Sequence, residues 1–320
     1  MIVLPRMRRV DLSKQSPQPK PDSKLWQSFW QGAGLHGCTV AFPTVARKAL
    51  EERWLEFFRQ IDGTSVLDVA TGRGAVLSYA AAVIPETAGV ELTGVDLAEG
   101  PPTNNRTRML GGVDAATLPF SDCSFDHVTS QFGVEYAGFE AALAETGRVC
   151  ARNLLVLVHA AEGVVVRHNQ LHATQADWLL NELHFPTNLA AHFAKPTKAS
   201  AGKLDKLLQL VRERARVDEN MSVLEAVYES ALELQDRAVA EDPDAIQQAI
   251  ALLAEELSQH RDRMALLGRA GVNRERMDAA AARLKSSGFA SAFVFEERPG
   301  RDRQLVGYWL EAARGKMQES

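Results

Sequence analysis

Asp68, Asp96 and Asp114 each come at or just after the end of a short apolar run, and Gly72 and Gly74 follow the first of them at a spacing of two. In "SVLDVATGRGAVLSYAA", Ser65 to Ala81, the apolar run ends in an acid, turns through the glycines and enters a helix-forming stretch. Without a Cβ, such a turn lets backbone N–H groups approach a carboxylate or phosphate closely. A carboxylate after a second strand can accept hydrogen bonds from two ribose hydroxyls, and one after a third can accept from an exocyclic amine. A triphosphate loop would need Gly-Lys-Ser/Thr, which is absent. A dinucleotide turn would need a third glycine, where this chain has Leu77.

These acids can converge only if the runs before them are neighbouring parallel strands. "SVLDVA", "ELTGVDLA", "TRMLGGVDAA", "SFDHVTSQFG" and "NLLVLVHAA" read as strands, with helices over 74–84 and "FEAALAETGRVC" between them. That alternation predicts an α/β fold: a doubly wound, mostly parallel sheet with helices on both faces. Ligands of such sheets bind at the carboxyl ends of the strands, where the three acids would lie. Upstream, Pro43 to Gln60 has helical spacing of Leu50, Trp54 and Phe57/Phe58. Trp26, Phe29 and Trp30 either pack on the core or close over a ligand.

From Val164 the alternation stops. Leu204, Leu207, Leu208 and Val211, then Ile246, Ile250, Leu253 and Leu257, recur at helical spacing. The α/β signal returns with a helix in "NRERMDAAAARLKSSGF" and two strands around a turn carrying Pro299 and Gly300. The predicted organisation is a flexible arm over 1–24, an α/β domain over 25–163 and 273–320, and a large α-helical insertion over 164–272 after the fifth strand. The insertion is placed to cap a substrate or to form a homodimer.

With 320 residues, 46% hydrophobic and 24% charged, the chain is of ordinary globular composition. A net charge of −5 gives no global attraction to nucleic acid. No run reaches the roughly 18 to 20 apolar residues of a membrane span. The N-terminus does not read as a secretory signal. Cys38, Cys123 and Cys150 show neither disulfide nor zinc spacing. A cytoplasmic protein with no membrane, metal or nucleic-acid partner is expected.

The motifs resemble those of class I S-adenosylmethionine-dependent methyltransferases, the branch with small-molecule and quinone methylases. "DVATGRG" matches the family's acid and glycine turn at Asp68, Gly72 and Gly74, with Ala70 at the first glycine. Asp96 matches the second motif. "DAATLPFSDCSFDHV", Asp114 to Val128, matches the third and is the most specific signal. The resemblance covers about residues 62–160 and 273–314 and implies a seven-stranded, methyltransferase-like Rossmann sheet ending in an antiparallel hairpin at its edge. Pro101 and Pro102 depart from the usual helix after the second strand, and the usual Lys-Pro-Gly-Gly turn before the fifth is missing. Glu135 and Tyr136 differ from the quinone methylases, so that substrate does not carry over.

The resemblance implies S-adenosylmethionine as cofactor. Asp96, with Leu97 beside it, would hold the ribose, and Asp114 with the Ala115 backbone the adenine. Gly72, Gly74 and Ala70 would form the turn at the methionine part, with Asp68 near its ammonium. Gln131 and Phe132 would lie beside the sulfonium. Methyl transfer is an in-line displacement, and a base is required only where the acceptor must lose a proton. Glu135, Tyr136 and His159 are the predicted catalytic groups. His168 and His172 share a helical face without an acidic partner and read as a solvated surface rather than a metal site. The expected function is methyl transfer to an O or N atom of a small molecule. The alternatives are a methyltransferase-fold scaffold without catalysis and, further back, a protein or nucleic-acid methylase.

Overall fold

The computed structural model describes residues 26, 27, 30, 42, 44–99, 105–218, 222–300 and 303–315. The predicted arm, Phe29 and the Pro101–Pro102 pair lie outside these.

Helix α1 (Thr44–Gln60) leads into β1 (Ser65–Val69), α2 (Ala75–Val83), β2 (Glu91–Val95) and β3 (Thr107–Leu110). Next come β4 (Phe125–Gln131), α3 (Phe139–Val149) and β5 (Cys150–His159). Five helices follow: α4 (Val164–Asp177), α5 (Phe185–Ala194), α6 (Lys198–Ala215), α7 (Ser222–Arg237) and α8 (Pro243–Ala270). The chain ends with α9 (Arg274–Ser286), β6 (Ser291–Glu297) and β7 (Gly307–Ala313).

All seven strands form one sheet in the order β3-β2-β1-β4-β5-β7-β6. β1 to β5 pair in parallel, and β7 is antiparallel to both β5 and β6. The expected doubly wound, mostly parallel seven-stranded sheet with an antiparallel edge hairpin is therefore present. Strand alternation splits its core between two faces. Leu154, Val156 and Val158 of β5 pack with α3 and α9, through Phe139, Leu143, Met277 and Leu284. Leu155 and Leu157 face the other way, against Leu50, Trp54 and Phe58 of α1 and Val76 and Leu77 of α2. Apolar side chains on both faces explain why β5 reads as an unbroken apolar run.

The helices after β5 lie mainly in a second compact unit, Val166–Arg269, apart from the unit formed by 1–165 and 270–320. Its core is its own: Leu179, Phe185, Leu189, Leu204, Leu224 and Ile250 are all buried in it. The apolar and aromatic stretch Asp177 to Phe193 thus fills a helix-bundle core with Leu179, Phe185 and Leu189. Thr197 caps α6, its hydroxyl accepting from Ser200 N–H and the Ser200 hydroxyl accepting from Thr197 N–H. On return from this unit, Val272 N–H donates to the His159 carbonyl at 2.9 Å, and Ala161 N–H to that of Val272 at 3.0 Å. Chain exit and re-entry are thus adjacent at the end of β5.

Candidate active site

The turn after β1 is the first component. Asp68 is 1% exposed. Thr129, its register partner on β4, donates its hydroxyl to Asp68 Oδ1 at 2.9 Å. Burial pushes the Asp68 pKa up to about 7, although the Thr71 and Thr129 side chains oppose the shift. Ala70 follows with a left-handed φ of 54°, a conformation that costs a non-glycine residue about 1–2 kcal/mol. Gly133 comes so close that a Cβ there would collide with the Ala70 methyl. Gly72, at φ 55°, donates its N–H to Asp96 Oδ2 at 2.8 Å, and Gly74 N–H reaches the Thr71 carbonyl at 2.9 Å. The two glycine amides thus have protein acceptors here.

Asp96 ends β2. Its Oδ1 accepts from Ala98 N–H at 2.9 Å, and the carboxylate is 7% exposed. Burial raises its pKa, and the N–H groups of Ala98, Gly72 and Leu97 oppose that. The carboxylate keeps a further acceptor position. Leu97 is half-buried beside it. Val113 N–H donates to the Asp96 carbonyl at 2.9 Å, which brings Asp114 to the same edge. Asp114 Oδ1 accepts from Ala116 N–H at 3.0 Å, and Ala115 is buried in the core.

The second component joins the ends of β4 and β5. Gln131 spends its side-chain carbonyl on the Trp54 indole N–H, at 2.6 Å. Phe132, at φ 51°, stacks on the His159 ring with centroids 3.9 Å apart. Glu135, whose side chain has no exposed surface, lies 3.0 Å from His159 Nδ1 and also accepts the His159 backbone N–H at 3.1 Å. The Tyr136 hydroxyl lies 2.9 Å from the same Nδ1. The three residues expected to supply acid–base chemistry therefore form one cluster.

Thr71, Thr129 and Ser130, absent from the sequence reading, belong here. Ser130 Oγ and Glu135 Oε2 are buried without a hydrogen-bond partner among the described residues, and Thr71 sits beside Asp68. Thr129 orients Asp68. Trp30 and Trp26 cross the edge: the Trp30 indole lies where a Cβ on Gly72 would be, and Trp26 meets Tyr136 at 5.0 Å between centroids. The Gln27 side chain accepts from Glu99 N–H at 2.8 Å. These three described residues of the 26–30 segment thus touch the turns after β1, β2 and β4.

A separate cavity of about 700 Å³ lies between α3 and α9 and holds none of the predicted site residues. Its Arg148 and Arg276 are paired with Asp122 and Glu140. Among the described residues, no three metal-ligating side chains cluster, and no helix is long and apolar enough to cross a membrane.

Residues 67–157 match the family described as "Methyltransferase domain". With the parallel sheet and its edge hairpin, this makes the chain the bearer of a class I S-adenosylmethionine-dependent methyltransferase domain, whose cofactor is S-adenosylmethionine. Among solved structures, an S-adenosylmethionine-dependent methyltransferase from Aquifex aeolicus is 20% identical over 35% of this chain and 65% of its own, with a TM-score of 0.29. Another from Thermotoga maritima is 11% identical over 91% of this chain and 100% of its own, with a TM-score of 0.40. The family match carries the assignment, not these superpositions. The comparison with curated proteins returned no match.

The residues fit the cofactor. The methionine part carries an ammonium and the sulfur a positive charge. A buried carboxyl with its pKa near 7 and two buried polar oxygens without partners among the described residues are what such a group would complete.

Proposed function

We propose that this protein transfers a methyl group to an O or N atom of a small-molecule acceptor, with His159 as the base. The Glu135–His159 pair carries this reading. A carboxylate is the strongest acceptor near Nδ1, so Glu135 holds the ring with its proton on Nδ1 and leaves the Nε2 lone pair for the acceptor's proton. Phe132 fixes the ring plane by stacking. Tyr136, in reach of Nδ1, steadies the imidazolium that forms.

S-adenosylmethionine supplies an electrophilic methyl on a sulfonium. For it, Asp68 would take the ammonium, Asp96 the ribose hydroxyls and Asp114 with the Ala115 backbone the adenine. Ala70, Gly72 and Gly74 would shape the turn, Leu97 would lie against the adenosine, and Gln131 and Phe132 would lie beside the sulfur. Trp26 and Trp30 would exclude water from this edge. The helical unit would cap the acceptor or join two copies of the chain, and the location would be cytoplasmic.

The test is calorimetric titration with S-adenosylhomocysteine, followed by acceptor screening through methyl-donor consumption. Stoichiometric binding with turnover supports the reading. Binding without turnover on any O or N acceptor points to a scaffold, and no binding removes the site assignment.

A further inference from the structure

The cavity of about 700 Å³ between α3 and α9 takes no part in methyl transfer, and its walls are of two kinds. Leu143, Ala280 and Leu284 are buried core side chains and form an apolar floor. Asp122, Cys123, Glu140 and Arg283 are exposed and stand at its mouth, so the cavity opens to solvent. An apolar concavity of this size with a few polar groups along one side suits a small organic molecule.

Four arginines line it, and three are engaged. Arg148 donates to Glu145 and to Asp122, each at 2.7 Å. Arg276 takes both oxygens of Glu140, at 2.8 and 3.0 Å. Arg314 donates to the carbonyls of Cys150, Ser287 and Gly147, at 2.8, 3.0 and 3.0 Å. Arg283 differs: among the described residues its side chain has no hydrogen bond and no ion pair. Arg276 lowers the Glu140 pKa by its hydrogen bonds, and Arg283 adds to that only through its charge. Ala279, Ala280, Ser286 and Ser287 stand three and four positions from Arg283, so no acid of its own helix is placed to pair with it. Glu275 is further back, about 12 Å along the axis of α9.

An apolar floor beside an uncommitted guanidinium fits a ligand with an apolar body and one anionic group. The planar fork of a guanidinium matches a carboxylate through two parallel hydrogen bonds. Asp122 and Glu140 at the same mouth, each already answered by an arginine, would repel a dianion such as phosphate. We propose that this cavity binds a small amphipathic monocarboxylate, with its apolar body on Leu143, Ala280 and Leu284 and its carboxylate on Arg283. None of the lining residues belongs to the cofactor turn or to the Glu135–His159 cluster, so the site stands whether or not the methyl-transfer reading holds.

The experiment titrates octanoate into the full chain by calorimetry and follows alkylation of Cys123 by peptide mass spectrometry. Cys123 is exposed at the mouth and Cys150 is buried, so the first thiol reports the site and the second the background. Saturable binding with slowed alkylation of Cys123 is expected. Octanol has the same chain without charge and octylamine the opposite charge, and both should bind about tenfold more weakly or worse. Arg283→Gln should weaken octanoate by about tenfold or more. Ala279→Trp should fill the mouth and abolish binding. Both positions are exposed on α9, outside the core, and either variant suffices if the other does not fold. S-adenosylhomocysteine should not displace octanoate. If it does not bind at all, the methyl-transfer site is lost and this one is untouched. No saturable octanoate binding, binding that leaves Cys123 alkylation or both variants unaffected, equal binding of octanol or octylamine, or displacement by S-adenosylhomocysteine would overturn the proposal.

Discussion

Asp68 and Asp126 stand on adjacent strands, β1 and β4, toward opposite edges of the sheet, and they fare differently. Asp126 accepts from Thr64 N–H at 2.7 Å and from the Thr64 and Ser65 hydroxyls at 3.2 Å, and pairs with Arg152 at 3.3 Å. Burial works against its charge, yet these partners outweigh it and the pKa is lowered. Asp68 is almost fully buried, with the Thr129 hydroxyl 2.9 Å away, and burial drives its pKa up to about 7. The first carboxylate is satisfied inside the protein. The second still lacks a cation, as a ligand-binding acid does before its ligand arrives.

The comparison breaks most visibly at the base. His159→Ala should reduce turnover by about 10²–10⁴-fold and leave S-adenosylhomocysteine binding intact. Turnover near native would remove His159 from the chemistry, and lost binding would place it with the cofactor instead. Asp68→Asn comes next: S-adenosylhomocysteine binding, read by calorimetry, should weaken by about ten- to a hundredfold.

The same variant should raise stability at neutral pH. Folded Asp68 holds a proton that the unfolded chain releases above 3.8, so stability falls as pH rises from there to about 7. Denaturant titrations across that window should show this slope in the native chain and lose it in Asp68→Asn. If the slope persists, Asp68 is ionised in the folded protein and the contrast fails.

Asp126→Ala should do the opposite. Stability should drop by roughly 1–2 kcal/mol with cofactor binding unchanged. The native contribution of Asp126 is present above the ordinary carboxylate pKa and is lost as pH falls through its lowered value, so acid unfolding of the variant should be the shallower. The smallest effect is expected at Ala70→Gly, which relieves the left-handed backbone and should gain up to about 1 kcal/mol in chemical denaturation.

Much of this was legible in the chain itself. Strands β1 to β7 show as apolar runs with period two or with both faces buried, and α1 and α9 as helical stripes. These are local signals, set by the backbone's own geometry. The acids after β1, β2 and β3 are legible for the same reason, since a parallel sheet puts successive strand ends on one edge. Glu135, Tyr136 and His159 could be named as acid–base types near that edge. Their joining at a single ring nitrogen could not, because it depends on how β4 and β5 end relative to one another.

Other features had no sequence signal. Thr129 meets Asp68 only through cross-strand register. Trp30 meets Gly72 from 42 positions away in the chain, so that glycine answers an indole as well as a turn. His172, expected on a solvated face, is half-buried instead, its ring centroid 5.6 Å from that of His260. The two are 88 positions apart, on helices whose local pattern reports only an apolar face. By itself the sequence determined the elements, their order and the acids at their ends, because propensity and periodicity act over a few residues. The tertiary structure alone decided which buried polar groups found partners and which did not, because desolvation and hydrogen bonding are settled only when distant segments pack.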